Sequence, residues 1–466
     1  MSHLSVDHSV FRAYDIRGIV GQTLTEELVY LIGQALGTEA LEQGETAMAV
    51  GFDGRHSSPL LAEALSEGIL STGCDVIDVG MIPTPLLYFS TFISPSRSGV
   101  MITGSHNPPE YNGLKMVIQG ETLAEDRIQA LYQRIIARDF IEGRGECSDM
   151  DIVERYLNQI TQTVKLKRPL RIVVDAGNGI SGLIAPELYR RLDCDVIELF
   201  CQIDGNFPNH HPDPSQADNM KDLIAAVREY QADLGLAFDG DGDRLGVITS
   251  QGRVIWPDRQ LILFAQDILS RQPQAKIIYD VKCTTHLATV IRKLGGEPLM
   301  WKTGHSLIKA KLAETQAALA GEMSGHIFFK DRWFGFDDGI YAGARLLEIL
   351  STYQQDSEAV FASIPDSVNT PELKIFVAED EKFHVMNQLV TRLQQEQAKF
   401  SQAQEILTID GLRVNFPEGW GLVRPSNTTP CLVLRFEANN TSFLQQIQNL
   451  FRELILSVKP ELAIPF

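Results

Sequence analysis

Three stretches of this chain follow one plan. "AMAVGFDGRHSS" (47–58), "RIVVDAGNGISG" (171–182) and "KIIYDVKCTTH" (276–286) each run from an apolar strand into an aspartate, then into small or polar residues. An amphipathic helix is predicted after each. After the second, Ile180, Leu183, Ile184, Leu188 and Leu192 recur at helical spacing; after the third, Leu287, Val290, Ile291 and Leu294 do, with Gly295 as the stop. After the first, Ser57-Ser58-Pro59 reads as a cap followed by proline in the first turn. A second strand comes next ("CDVIDVG" at 74–80, "DVIELF" at 195–200, "EPLMWKTG" at 297–304), and then a further apolar strand that ends in an unusual loop. Strand–helix–strand units with this spacing imply open sheets covered by helices. Ligands of such sheets collect beyond the carboxyl ends of the strands. The three loops are therefore expected to meet at a shared cleft.

With 466 residues, three or four domains are expected. After about residue 366 the pattern changes: "DGLRVNFPEGWGLVRPSNTTPCLVLRFEANN" (410–440) reads as antiparallel strands around a loop, with a closing helix near 441–458. The expected fold is α/β, with three similar α/β repeat domains (mixed sheets covered by helices) at 1–150, 151–252 and 253–365. A smaller C-terminal α+β domain at 366–466 completes a central cleft.

The net charge is -19, which argues against a basic stripe for nucleic acid; the one short basic cluster, "KLKRP" (165–169), reads as a linker. An acidic chain that handles anions must concentrate its Arg and Lys locally. Six cysteines with no CxxC pair support neither a zinc site nor a disulfide framework, and fit reduced thiols in the cytoplasm. The N-terminal stretch has no signal-peptide pattern, and no apolar run is long enough for a membrane helix.

Four loops carry chemistry. In "MITGSHNPPEYNGLK" (101–115), Ser105 follows a buried-strand pattern, and is a nucleophile, a cap or a turn serine. In "DGDGDR" (239–244), Asp239, Asp241 and Asp243 alternate with glycine. Carboxylates this close repel unless a cation sits among them, and all-oxygen ligands favour Mg2+ or Ca2+. An EF-hand is excluded, because its sixth and twelfth positions would be Arg244 and Ser250; a solvated acidic turn is the other reading. "GEMSGH" (321–326) offers Glu322, Ser324 and His326, an inventory suited to polyol hydroxyls or to bracing a turn. "RPSNTTP" (424–430) offers a guanidinium fork from Arg424 and donors from Ser426, Asn427, Thr428 and Thr429, suited to a phosphate or to an ordinary polar turn. Tyr14 and Arg17 precede an expected turn at Gly18, Lys115 follows Ser105 by ten residues, and His305 falls at a predicted helix start. The prolines of "NHHPDP" (209–214) favour a structural turn over a metal pair.

Taken in order, "TGSHNP", "DGDGDR", "GEMSGH" and "RPSNTTP" resemble the α-D-phosphohexomutase superfamily nearly end to end. "WKTGHSLIK" and "GEMSGHIFFKDRWFGFDDGIYAGARLLEIL" look closest to its bacterial branch that handles both mannose and glucose phosphates. One departure is Phe52 in "GFDGR", where the family often has Arg. The resemblance implies a Ser105 that carries phosphate and one Mg2+ per chain held by Asp239, Asp241, Asp243 and the phosphoserine. It implies interconversion of hexose 1- and 6-phosphates through a hexose 1,6-bisphosphate that turns around in the site. Arg17, Lys115, His305 and His326 become candidates for proton transfer, with Arg244 assisting the phosphoryl group. Tyr14, His106 and Asn107 would line the floor, and Lys282 would approach the sugar. Glu322 and Ser324 would grip the 3- and 4-hydroxyls, and Arg424, Ser426, Asn427 and Thr428 would hold the non-reacting phosphate. Phosphosugars are the expected partners of a monomeric enzyme. Phosphoglucosamine as substrate is the alternative within the family.

Two readings from outside the family remain: a metal-dependent sugar phosphatase with an aspartate nucleophile, and a non-catalytic binder. The phosphatase would want a D-x-D-x-[TV] loop early in its core domain, whereas this loop lies mid-chain with Asp243 in the Thr position. Phosphopeptide mapping is expected to place label on Ser105, and Ser105→Ala to lose nearly all turnover while still binding sugar phosphate. Label on an aspartate, or wild-type turnover in Ser105→Ala, is the contrary result.

Overall fold

The computed structural model describes residues 6–427 and 429–466. Each repeat builds the same four-stranded core, with the strands in the spatial order fourth, third, first, second. In the first repeat these are Tyr111–Ile118, Gly99–Ile102, Ala47–Phe52 and Asp75–Met81. In the second they are Leu245–Thr249, Leu234–Phe238, Arg171–Asp175 and Asp195–Leu199. In the third they are Ile327–Phe329, Leu319–Gly321, Lys276–Asp280 and Glu297–Trp301. The first strand pairs in parallel with the second and third, so helices must cross over between them. The fourth strand is antiparallel to the third. The special loops, at 103–110, 239–244 and 322–326, are thus the same piece of topology used three times. Each is the reversal at the carboxyl end of a central strand.

The first sheet is widened by Ile16–Ile19, antiparallel to Tyr111–Ile118, and by Cys147–Asp149 beside Asp75–Met81. The last strand of the second sheet, Val254–Ile255, lies just past the boundary expected at 252. One face of the first sheet packs Val50, Val100 and Ile102 against helices Glu26–Glu42 and Ser58–Leu70. Its other face, through Ala49, Met101 and helix Thr84–Ile93, joins a continuous core that runs on through Val174, Leu236, Phe238, Ile277 and Leu319. The first three units therefore share buried apolar surface and hold one another in register. The fourth, an antiparallel sheet closed by helix Thr441–Val458, has a core of its own. It meets the third unit through the small patch Val281, Trp420 and Leu422 and through buried polar contacts. There Arg413 donates to the carbonyls of Val281 (2.5 Å) and Cys283 (2.8 Å), and Arg435 pairs with Asp258 at 3.2 Å.

Several local expectations differ from what forms. Leu183 and Leu294 are exposed. The second repeat enters its helix through a tight 3-10 turn, Ile180–Leu183, whose closer winding rotates Leu183 outward; Leu294 is a C-cap. Ser57 is in helical conformation and caps nothing: its hydroxyl accepts from Asn112 (2.9 Å), while Ser58 donates to Asp53 at 2.5 Å. Gly18 lies within strand Ile16–Ile19, and the turn comes at Gly21. Gly295 does end its helix with a positive φ, and the 209–214 segment is a turn in which His210 binds Asp175 at 3.0 Å. All six cysteines are free, and no helix is long and apolar enough to cross a membrane among the described residues.

At the junction of the three repeats, Asp338 caps helix Gly339–Ser351 by accepting from the Tyr341 N–H (2.8 Å), and also takes the Tyr156 hydroxyl (2.9 Å) and Trp333 indole (3.2 Å). The rings of Trp333, Tyr341 and Phe89 stack around it. Burial pushes its carboxyl up to about 7, against the pull of those donors. Between pH 4 and 7 the folded chain therefore holds a proton that the unfolded chain has lost, so stability falls as pH rises through that window. Asp338→Asn, which keeps a capping oxygen, is expected to remove this slope. Relative to wild type, the unfolding free energy from urea titration should rise at pH 8 compared with pH 5 by on the order of 1–4 kcal/mol.

Candidate active site

The loops converge on Ser105. Its φ is 48°, a left-handed conformation that an ordinary side chain adopts only under constraint. The constraint is visible: the Ser105 N–H donates to Thr103 Oγ1 (2.8 Å), and its carbonyl accepts from Arg55 (2.8 Å). A Cβ on Gly240 would stand 2.3 Å from the Ser105 carbonyl oxygen, so glycine there lets the aspartate loop lie directly against the serine loop. Ser105 Oγ ends 3.1 Å from Asp239 Oδ2 and 3.2 Å from His106 Nδ1.

Asp239, Asp241 and Asp243 are fully buried and present oxygens within 4.8 Å of one another. Lys115, reaching in from the strand that follows the serine loop, puts its ammonium 2.7 Å from Asp241 and against Asp243. Thr84 donates to Asp241 at 2.5 Å. Burial opposes the Lys115 charge, but Asp241 and Asp243 outweigh it and hold the group protonated. Burial, then Asp241 and Asp243, drive the Asp239 carboxyl well up. His326 and Arg244 add positive charge at the edges of the cluster, 3.2 Å from Asp243 and 3.7 Å from Asp239, but Asp241 Oδ1 has no hydrogen-bond partner among the described residues. The three aspartates offer converging, buried oxygen ligands, and so fit a hard divalent cation.

Two imidazoles flank this cluster, 5.6 Å apart between ring centres. His326 stands 3.2 Å from Asp243 and 3.2 Å from Glu322. Burial works against its charge, but those carboxylates raise it to about 9, so it is an imidazolium at neutral pH. His305, at the start of helix His305–Thr315, is held well below its usual range by burial and by Lys309 and Lys115, and is neutral. His106 is likewise pushed down, by burial and then by Arg244 and Arg17. Arg244 lies 3.7 Å from Asp239. Arg17 binds Asn107 at 2.6 Å and Asp15 at 2.5 Å, and so joins the cleft floor to the serine loop.

Across the cleft, Glu322 accepts from the Gly304 N–H at 2.6 Å, and Ser324 Oγ lies 2.9 Å from His326 Nδ1. Lys282 binds Glu372 at 2.6 Å and lies 3.8 Å from Asp280. Tyr14 donates to the Thr303 carbonyl (2.9 Å) and takes the Asn427 amide, so the first, third and fourth units touch at this tyrosine. Arg424 is paired with Asp410 at 2.9 Å, and Ser426 Oγ is bonded to Thr429. Thr428 lies outside the described residues. Of the proposed site residues within the described chain, the structure brings all to this one cleft or its rim. Sequence reasoning missed Asp53, Arg55, Thr84, Lys309, Glu372 and Asp410, together with Asp337, which pairs with Lys309 at 2.7 Å and lies 3.5 Å from His305. The "GFDGR" turn held a signal for the first two; Thr84 had none.

Four sheet domains that present a serine, a carboxylate cluster, a glutamate–histidine loop and an arginine loop to one cleft define the phosphohexomutase class of architecture. Family models match all four: phosphoglucomutase/phosphomannomutase α/β/α domains I, II and III at residues 8–142, 154–252 and 256–368, and the C-terminal domain at 372–454. The chain belongs to the phosphoglucomutase/phosphomannomutase family. It is 56% identical to a phosphomannomutase/phosphoglucomutase of Pseudomonas aeruginosa over 98% of both chains, and 53% identical to a phosphoglucomutase of Neisseria meningitidis over 99% of both. A crystal structure of a phosphoglucomutase/phosphomannomutase family protein from Burkholderia thailandensis superposes with a TM-score of 0.94 at 51% identity, covering 99% of this chain and 100% of that one.

Lys115→Met removes one partner of a buried charge cluster and leaves Asp241 without the ammonium 2.7 Å away. A loss of about 3–5 kcal/mol is expected in a chelator, largely recovered when Mg2+ is added. Thermal unfolding in EDTA and in Mg2+ measures the difference; equal losses in both would remove the divalent-ion reading of the triad.

Proposed function

We propose that this chain is an isomerase, an intramolecular phosphotransferase that interconverts hexose 1- and 6-phosphates of mannose and glucose through a phosphoserine at position 105. The observation that carries the reading is Ser105 Oγ, held in a strained turn 3.1 Å from Asp239 where the serine loop lies directly against the aspartate loop. A phosphoserine brings about -1.5 to -2 of charge at neutral pH. Beside three carboxylates it is tolerable only with a cation between, and Asp239, Asp241, Asp243 and the phosphoserine would hold one Mg2+. Bound there, the ion would neutralise charge on the transferring phosphoryl group.

In the first half-reaction the bond between phosphorus and Ser105 Oγ breaks and a bond to the free sugar hydroxyl forms. The hydroxyl proton passes to a neutral base, and the departing Oγ is protonated or paired with a cation. The protonation states divide these duties: His305 is neutral and able to accept, whereas His326 and Lys115 are charged and able to donate. Arg17 and Arg244 lie on the serine side, where they would steady the phosphoryl oxygens. The resulting hexose 1,6-bisphosphate then presents its other phosphate to Ser105. Glu322 and Ser324 support this reversal, because 3- and 4-hydroxyls gripped near the middle of the sugar keep their place when its ends exchange. Arg424, Ser426, Asn427 and Thr428 would take the phosphate that is not reacting. Tyr14, His106, Asn107 and Lys282 would complete the walls. The fourth unit has its own core, and its Asn427 reaches Tyr14 of the first. Closure of that unit would shut out water that hydrolyses phosphoserine.

All four loops come from a single chain, which supports a site complete in a monomer. The reading also carries small phosphosugars as partners, no nucleic acid and work in the cytoplasm.

A site that reads only the 3- and 4-hydroxyls is expected to use mannose 1-phosphate and glucose 1-phosphate with kcat/KM values within about tenfold, equivalent to ~1.4 kcal/mol. A coupled assay with those two and glucosamine 1-phosphate, with intact-protein mass for bound phosphate, tests this. A dominant glucosamine activity would transfer the proposal to that sugar, and inactivity with all three would end it.

A further inference from the structure

The "GFDGR" turn between strand Ala47–Phe52 and helix Ser58–Leu70 lies behind the serine loop. Arg55 there is 2% exposed, yet its only ion-pair partner among the described residues is Asp53, 3.3 Å from its Nε. Its two terminal nitrogens donate instead to four backbone carbonyls of the serine loop and the strand it enters. Nη1 reaches Pro108 (2.7 Å) and Tyr111 (3.0 Å); Nη2 reaches Ser105 (2.8 Å) and Asn107 (2.6 Å). Asp53 takes the other side of the same loop, accepting from Thr103 Oγ1 (2.8 Å) and the Gly104 N–H (3.2 Å). The loop is wrapped so closely that a Cβ on Gly104 would stand 2.5 Å from the guanidinium. Phe207, from the second unit, covers that guanidinium with its ring 5.0 Å away.

A buried guanidinium is costly unless its donors are used, and here three of its hydrogen bonds go to the loop that carries the reactive serine and a fourth to the strand that follows it. Ser105 stands in a left-handed conformation that a free loop would leave. From these observations, and resting on the reading of Ser105 as phosphoryl carrier, we infer that Arg55 is a positioning residue. With Asp53 it locks the serine loop in the conformation that aims Ser105 Oγ at Asp239. Arg55 touches neither Oγ nor the carboxylate triad by hydrogen bond; it acts through the backbone. A lysine at this position keeps the charge but has no planar fork to span four carbonyls.

The test compares wild type, Arg55→Lys and Asp53→Asn in steady state with glucose 1-phosphate, in single-turnover phosphorylation of the dephosphorylated enzyme by glucose 1,6-bisphosphate, and in calorimetric binding of glucose 1-phosphate. Misplacement of a reacting atom by about 1 Å costs on the order of 10²-fold. The Arg55→Lys variant is expected to lose about that factor in kcat and in single-turnover rate, with KM and binding within about twofold. Asp53→Asn is expected to show the same split with a smaller loss. A kcat within about threefold of wild type in Arg55→Lys, or parallel losses of binding and rate, would overturn the inference and leave a role in folding alone. Should Arg55→Lys fail to fold, Asp53→Asn decides, and an unchanged kcat there is the overturning result. Absence of mutase activity in the wild type would instead overturn the proposed function, so the two failures are told apart.

Discussion

Three carboxylates buried within reach of one another are the constraint on which the rest of this molecule turns. Asp239, Asp241 and Asp243 would repel one another apart without positive charge nearby. All three units supply it: Arg244 of the second lies by Asp239, His326 of the third by Asp243, and Lys115 of the first, on the strand after the serine loop, by Asp241 and Asp243, while Thr84 at the start of a crossover helix adds a hydroxyl. The continuous core beneath the first three units is what keeps these groups in place. A site with this much buried charge keeps its geometry only on a scaffold whose apolar packing fixes its position.

The threefold use of one topology explains how a single cleft obtains such different chemistry. Each repeat reverses its chain at the carboxyl end of the third strand, and each reversal carries a different inventory: a serine, three aspartates, or a glutamate with a histidine. Because the reversal always falls at the same end of the sheet, packing the repeats together brings the inventories together. The fourth unit, with its own antiparallel core, contributes its arginine loop from the opposite side. It reaches the first unit through Asn427 and Tyr14.

Much of this was legible from pattern. The alternation of apolar strands and helices, the closing helix at 441–458, the stop at Gly295 and the identity of the chemically active loops all follow from local periodicity and turn chemistry. Leu183 was misplaced because a 3-10 turn and an α-helix share a hydrophobic pattern over four residues and differ only in how far each residue rotates. The pairing of Lys115 with aspartates more than a hundred residues away, and of Arg424 with Asp410, left no local mark, because an ion pair across a fold imposes no spacing on the chain. Arg55 was visible as a residue in a turn, but its function depends on four carbonyls, and every residue has a carbonyl.

The sequence by itself therefore determined the repeat, the class of fold and which loops bring hydroxyls, carboxylates and imidazoles to the carboxyl ends of the strands, since these depend on short-range periodicity and on residue type. Only the tertiary structure decided which groups are charged and where Ser105 points. His305 and His326 are the same residue type at the same cleft, and burial opposes charge on both; Lys309 and Lys115 add to that at the first, whereas Asp243 and Glu322 outweigh it at the second. That difference is set by distances between separate units of the fold, and those distances come from packing alone.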